Sequence, residues 1–349
     1  MTATRAVAGT RYPELLWDAV LACDEYAARD VAFAALDAGV SAESVLLDVV
    51  GAVQRRVGVE WAAARITVAQ EHAATAINER VIAALATRTP RPAARHGRIT
   101  VSCVDGEWHA LPARLLAETL TLRGFTVDYL GAQVPAPHLV AHLHRTAPEA
   151  VALSSSIPTR LPVAHATVTA CQAAGVPVIV GGAAFGADGR YARLLGAQAW
   201  APDARAAADR LAAAPLPRPV GAHQPIDDLP HLADQEYSMV ARSATSLVAA
   251  VYAGLAERVP AMRDYGEQER QHTAQDLAHI VDFLATALYV GDEELFTGFV
   301  AWTAGILAAR GVPPHALHAG LDLLAARLRD FPRAGRLVAA GIDQLERIH

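Results

Sequence analysis

Residues 98–112, RITVSCVDGEWHALP, decide the fold: a short β-branched run, Arg98–Val104, passes into a polar loop and then into residues with helical spacing. Similar runs at Thr126–Leu130, Ala150–Ser154 and Val176–Val180 alternate with helical patterns, and Ala197–Ala201 supplies a short last one. This alternation predicts βαβ units and a doubly wound, Rossmann-like parallel sheet over residues 96–212. The carboxyl ends of the strands converge in such a sheet, so a ligand is expected in the loops that follow them.

Both flanks are helical. From Glu14 to about Ala86 apolar residues recur at helical spacing, with breaks near Gly39-Val40-Ser41 and Arg56-Val57-Gly58, which predicts a four-helix bundle within residues 1–95. Ser41, followed by Glu43 and Ser44, starts one of these helices, and the Pro- and Arg-rich run Thr87–His96 closes the bundle. Ala213–Pro230 holds five prolines and little apolar pattern, so a linker is expected over 213–233. Residues 234–349 show no strand signal; breaks near Glu257–Pro260, Gly291-Asp292 and Gly311–Pro314 divide them into about six helices. The fold class is α/β plus all-α.

A length of 349 residues suits two or three compact units. The formal net charge is -6 and no block of basic residues stands out, which argues against a nucleic-acid surface. Ala supplies much of the 53% hydrophobic content, and no stretch approaches the roughly 20 apolar residues of a membrane span. Met1–Tyr12 lacks the apolar core of a signal peptide. A cytoplasmic protein without a membrane or nucleic-acid partner is expected. Cys23, Cys103 and Cys171 show neither metal-pair spacing nor a disulfide framework, and the chain has no lysine, which excludes Schiff-base chemistry. A binding protein without catalytic residues is the expectation.

The loop Asp105–Pro112 puts Glu107 two residues before His109 at a strand end. A carboxylate at that offset holds one imidazole nitrogen and leaves the other free for a metal, although the loop alone equally suits a histidine that caps the next helix. Two later segments bear on that choice: Leu153-Ser154-Ser155-Ser156-Ile157 and Val180-Gly181-Gly182-Ala183 follow the third and fourth strands. Small residues at consecutive strand ends leave a slot, and paired glycines let a flat group lie against backbone.

With these three elements the chain resembles the cobalamin-binding domain of methionine-synthase-like proteins, whose Asp-x-His-x-x-Gly, Ser-x-Leu and Gly-Gly elements hold a corrinoid with its dimethylbenzimidazole tail withdrawn into the sheet. The resemblance sets Glu107 at the Asp, His109 at the cobalt ligand with Trp108 beside it, and Pro112 at the Gly. It sets Ser154 at the Ser, Ser156 at the Leu, and Gly181-Gly182 at the glycine pair. In the bundle, Trp61, nine residues and Glu71-His72 resemble the Trp-x9-Glu-His element of light-responsive B12-dependent regulators. That implies adenosylcobalamin, with Trp61, Glu71 and His72 covering its upper face. Ala62 stands where many of those regulators have a histidine, and their helix-turn-helix is missing, so direct DNA repression is not expected.

Residues 272–313, HTAQDLAHIVDFLATALYVGDEELFTGFVAWTAGILAARGVP, resemble non-haem, globin-like sensor domains through Asp276, His279, Asp282-Phe283-Leu284, Asp292, Phe296, Phe299 and Trp302. The whole arrangement resembles the photocobilins, which implies a biliverdin near the cobalamin, with Arg258, Arg263, His272, His279, Phe283 and Trp302 as its surroundings. No cysteine follows Cys171, so a bilin in this domain is held without a thioether. Haem on His272 or His279 is the rival. The implied function is a photoreceptor in which light breaks the cobalt–carbon bond and changes domain packing or assembly, with a homodimer and a downstream signalling partner. The alternative is a corrinoid protein that shuttles methyl groups between methyltransferases; a third is a stressosome-like binding module with its second pocket empty.

Overall fold

The computed structural model describes residues 2–219 and 229–348, with side chains from Arg11 onward; residues 220–228, within the linker expected over 213–233, lie outside the described residues. The chain forms two compact units, Met1–His223 and Gln224–His349.

The first unit opens with α1 (Thr2–Leu21) and α2 (Glu25–Asp37). A continuous rod follows, made of α3 (Ala42–Ser44), a π-helical turn (Val45–Val50) and α4 (Gly51–Ala62), and then α5 (Val68–Arg88). Ser41 starts the rod as expected, its hydroxyl accepting the Ser44 N–H at 3.1 Å. The break expected at Arg56–Gly58 is not there. Val53 and Val57 are buried in the bundle core, and burying each is worth about 1.5–3 kcal/mol, more than the roughly 1 kcal/mol an interior glycine costs. The chain reverses instead at Ala64, a left-handed residue with φ 55. There the Ala64 N–H donates to the Trp61 carbonyl at 3.0 Å and the Arg65 N–H to the Glu60 carbonyl at 2.9 Å. Thr67 and Gln70 then cap α5 reciprocally. This hairpin brings Trp61, in the last turn of α4, and Glu71-His72, in the first turn of α5, to one end of the bundle.

The sheet holds β1 (Arg98–Cys103), β2 (Thr126–Gly131), β3 (Ala150–Ser154), β4 (Val178–Gly181) and β5 (Ala199–Ala201). Between and after them run α6 (Ala110–Leu122), α7 (Ala136–Thr146), α8 (Leu161–Ala173), α9 (Arg190–Leu194) and α10 (Ala204–Ala213). All neighbours are parallel, in the order β2-β1-β3-β4-β5. Connections leave β1 toward opposite sides, so a crevice opens at the carboxyl ends of β1 and β3. Cys103 pairs with Ser154, and Ser154 with Gly181, so the three loops singled out in the sequence begin level with one another.

Leu111 and Leu115 of α6 enter the bundle core beside Leu16, Val53 and Ile82, which seats the bundle on α6. At the other end of α6, Arg123 bonds Glu43 at 2.7 Å and Asp209 at 2.7 Å, and Arg205 bonds Glu43 at 3.1 Å and Asp48 at 3.0 Å. The bundle is thus tied to the sheet layer at the carboxyl end of α6, away from the crevice.

In the second unit α11 (Glu236–Arg258), α12 (Glu267–Val290), α13 (Glu293–Ala309), α14 (Pro314–Arg327) and α15 (Pro332–Ile348) are joined by short connections, with 3-10 turns at Pro230–Asp234 and Pro260–Asp264. Among the described residues five α-helices stand where the breaks suggested about six. Leu284 to Val290 is buried on every side, which makes the second half of α12 the central element. The buried Glu236 carboxylate accepts the N–H groups of Arg333 at 3.0 Å and Ala334 at 2.9 Å, capping α15 from across the unit. By length and composition α11 is apolar enough to cross a membrane; in this unit it buries Val240, Leu247, Val251 and Leu255 at helical spacing.

Candidate functional site

Glu107 is the centre of the site. It is 1% exposed, and both oxygens are fully engaged. Oε1 accepts the His109 backbone N–H at 2.9 Å and lies 2.6 Å from His109 Nδ1. Oε2 accepts the Ser155 hydroxyl at 3.0 Å and the backbone N–H groups of Ser156 at 2.6 Å and Ile157 at 3.2 Å. One carboxylate therefore ties the β1 loop to the β3 loop at the crevice. Gly106, at φ 75, makes the turn that points it there.

Burial by itself would raise the Glu107 carboxyl, but the bond to the His109 ring and the N–H groups of His109, Ser156 and Ile157 outweigh it and bring the pKa down to about 2. His109 moves the opposite way: its bond to Glu107 raises it, partial burial opposes, and the fields of Glu107 and Glu71 add to the rise. The Nδ1–H is thereby committed to the carboxylate. Nε2 has no partner among the described residues, and the side chain is 54% exposed. This is the tautomer and orientation of an imidazole that ligates through Nε2. Pro112, in the first turn of α6, gives up an N–H that the helix start would leave unpaired in any case.

Beside this turn lies a cavity of about 110 Å³ between α6 and α10, bordered by Pro112, Ala113, Ser154, Gly181, Gly182 and Ala201. Small residues at the strand ends form part of its wall, beside Leu116, Leu153, Ile179 and Val180. Gly182 has a different role from the one expected. At φ 99, an added Cβ would stand 2.2 Å from the Ser155 carbonyl, so this glycine lets the β4 loop close on the β3 loop. Gly181 is the one whose Cβ would face the slot's far wall, 3.3 Å from the Ala201 carbonyl.

On the bundle side, Glu71 Oε2 lies 2.6 Å from His72 Nδ1, and Glu71 Oε1 accepts the Thr75 hydroxyl at 3.1 Å. The field of Glu71 adds a small rise to His109. His72 is 74% exposed, and Trp61 packs at the margin of the bundle core. Trp108 is 71% exposed. Ser156 acts through its backbone and Ser154 borders the slot, while the hydroxyl on Glu107 belongs to Ser155, which the sequence reading passed over. Cys103, beneath His109, has its thiol pushed up to about 12 by burial, helped by Glu107, which keeps it out of thiolate chemistry.

His272 and His279 lie exposed on α12, in the second unit, with Asp276 between them. Phe283 and Phe299 stack at 3.7 Å, filling the space between α12 and α13 with their own rings, and Trp302 is 51% exposed.

A corrinoid fits the first unit's residues: a carboxylate-oriented imidazole with free Nε2, and a slot bordered in part by small residues at the strand ends. Residues 97–211 match the family model described as B12 binding domain, and residues 13–86 match a second model of the same description. The monomethylamine corrinoid protein of Methanosarcina barkeri is 21% identical over 57% of this chain and 96% of its own, with a TM-score of 0.50. A cobalamin-binding protein from Desulfitobacterium hafniense DCB-2 is 22% identical over 56% of this chain and 94% of its own, at a TM-score of 0.31. The methanol:cobalamin methyltransferase complex MtaBC of Methanosarcina barkeri is 18% identical over 58% of this chain and 78% of the matched chain, also at a TM-score of 0.31. No curated protein matches the chain. Neither family match extends into the second unit. Bundle and sheet together make the first unit a B12-binding module, and the chain a cobalamin-binding protein.

Proposed function

We propose that the chain is a light sensor that holds adenosylcobalamin between its bundle and its sheet, with His109 as the lower axial ligand to cobalt. The Glu107–His109 pair, with its Nε2 left free, carries the cobalt-ligand part of the reading, and Trp61 with Glu71-His72 at one end of the bundle supports its light-sensing part. When bound, the cofactor supplies a cobalt–carbon bond that visible light can break. The protein's part is to fix the lower imidazole, take the nucleotide tail beside Gly181 and Gly182, and present Trp61, Glu71 and His72 to the upper group. Losing that group removes contacts from the end of the bundle opposite the Arg123 and Arg205 ion pairs, and so biases the packing of the two layers. Under the same reading the all-α unit is globin-like and holds biliverdin without a covalent bond, near His272 and His279, and a homodimer or a change in assembly is the output.

A second reading has a specific observation in its favour. The module shares its fold with the monomethylamine corrinoid protein, which fits a carrier that passes methyl groups between methyltransferases. Such a carrier must open its upper face to partners, whereas here Glu71 is held at both oxygens.

One experiment separates the two. Protein loaded with adenosylcobalamin, with and without biliverdin, is illuminated while its absorption spectrum and elution volume are followed. A sensor changes both irreversibly on the timescale of the exposure; a carrier loaded with methylcobalamin gives up the methyl group to a thiol acceptor in the dark when a corrinoid-dependent methyltransferase is added. An unchanged spectrum and elution volume under light would sink the sensor reading.

A further inference from the structure

A chain of hydrogen bonds runs from Glu71 into the bundle. Glu71 Oε1 accepts the Thr75 hydroxyl at 3.1 Å, Thr75 Oγ1 accepts Gln54 Nε2–H at 2.8 Å, and Gln54 Oε1 accepts Asn78 Nδ2–H at 2.8 Å. Asn78 is fully buried, and its Oδ1 has no partner among the described residues. Every donor points the same way, toward the carboxylate. In a low-dielectric interior each such bond polarises the next, so the end acceptor is held more firmly than by one isolated hydroxyl.

The spacing shows that two helices build this together. Glu71, Thr75 and Asn78 stand at i, i+4 and i+7 on one face of α5; Gln54, Gly58 and Trp61 repeat that spacing on α4. A Cβ at Gly58 would meet nothing within 4 Å, so the face has open room between Gln54 and Trp61. A buried acceptor left unpaired is costly, and an apolar residue at position 78 would remove that cost, so the polar chain does not serve packing alone.

We propose that Gln54, Thr75 and Asn78 are a positioning relay for Glu71, holding its carboxylate toward the group on the upper face of the cofactor while His72 takes the other oxygen. This deepens the light-sensor reading and rests on it. The relay makes selection of the upper group a property of the α4–α5 packing.

The test uses the full chain in the dark, with adenosylcobalamin and hydroxocobalamin as probes. The affinity for each is measured by equilibrium dialysis in wild type, Thr75→Val, Thr75→Ser and Gln54→Leu, beside the melting temperature of the cofactor-free protein. Thr75→Val keeps the shape and removes the hydroxyl, and is expected to cut the preference for adenosylcobalamin by about three- to tenfold, the weight of one hydrogen bond. Thr75→Ser is expected to keep it, hydroxocobalamin affinity should stay within about twofold in both, and Gln54→Leu should follow Thr75→Val. A ratio that stays put in Thr75→Val, a serine that behaves like valine, or a wild type without preference each overturns the relay. If wild type retains neither cobalamin, the binding reading itself falls; if retention stands and only the ratio fails to respond, the relay alone falls.

Discussion

The first unit holds a Glu–His pair in its bundle and another at the end of β1, and they are built to opposite specifications. In both, a carboxylate oxygen lies 2.6 Å from an imidazole Nδ1, which leaves Nε2 without a partner among the described residues. Glu107 is 1% exposed and also receives one hydroxyl and three backbone N–H groups from two loops. Glu71 has one further donor, Thr75, and its histidine is 74% exposed. A carboxylate surrounded by backbone donors cannot turn, so His109 is a fixed point of the fold. Among the described residues Glu71 is held by side chains alone, through Thr75, Gln54 and Asn78 on one oxygen and His72 on the other, so its position follows the packing of α4 on α5. On the proposed reading the lower face keeps a metal and the upper face registers its other ligand.

The sharpest way to break this contrast is Glu107→Ala, which strands several buried donors at about 1–3 kcal/mol each. A loss on the order of 3–5 kcal/mol, seen as an early urea midpoint in cofactor-free protein, is expected together with loss of cobalamin. Glu71→Ala in the same assay should cost no more than roughly 0.5–1 kcal/mol. Equal losses at both sites would erase the distinction.

Next in size is His109→Ala. It should reduce cobalamin retention by about ten- to hundredfold and shift the cobalt absorption bands, while cofactor-free stability stays within roughly 1 kcal/mol of wild type. His72→Ala should leave retention of hydroxocobalamin nearly unchanged.

The pH dependence of cofactor-free stability sharpens the contrast further. Glu107, depressed from 4.5 to about 2, contributes stability that is complete above 4.5 and is lost as pH falls toward 2. His109, raised above 6.5, contributes stability that is present below 6.5 and fades as pH rises through its elevated value. Stability measured by urea titration should therefore fall on both sides of that window, and Glu107→Gln should flatten both limbs. A comparably small effect is expected of Glu43→Gln: Arg123 first, then Arg205, hold Glu43 below its usual value against burial. The mutant should lose about 1 kcal/mol at neutral pH and converge with wild type as the pH falls below the usual carboxylate range.

What the sequence disclosed follows the range of each interaction. The β1 loop was legible because Glu107 and His109 are two residues apart and meet within one turn. Which of three consecutive serines bonds Glu107 was not, because Ser154, Ser155 and Ser156 differ only in how the chain leaves β3. Gly58 read as a break because glycine is a poor helix former, yet Val53 and Val57 bury enough surface to carry the helix past it. The reversal fell at Ala64, a residue type that gives no turn signal. Gln54, Thr75 and Asn78 were not legible as a group, because they meet only through the packing of α4 on α5. Glu236 caps α15 from 97 residues away, and no local pattern announces such a bond.

The central claim is that His109 supplies the lower cobalt ligand, and electron paramagnetic resonance of the cobalt(II) form tests it directly. With histidine labelled by heavy nitrogen, the account predicts that each cobalt line, split into a triplet by ordinary nitrogen, becomes a doublet, and that His109→Ala abolishes the change. A triplet that persists in the labelled protein would mean that the cofactor's own base, and no histidine of this chain, sits on the metal.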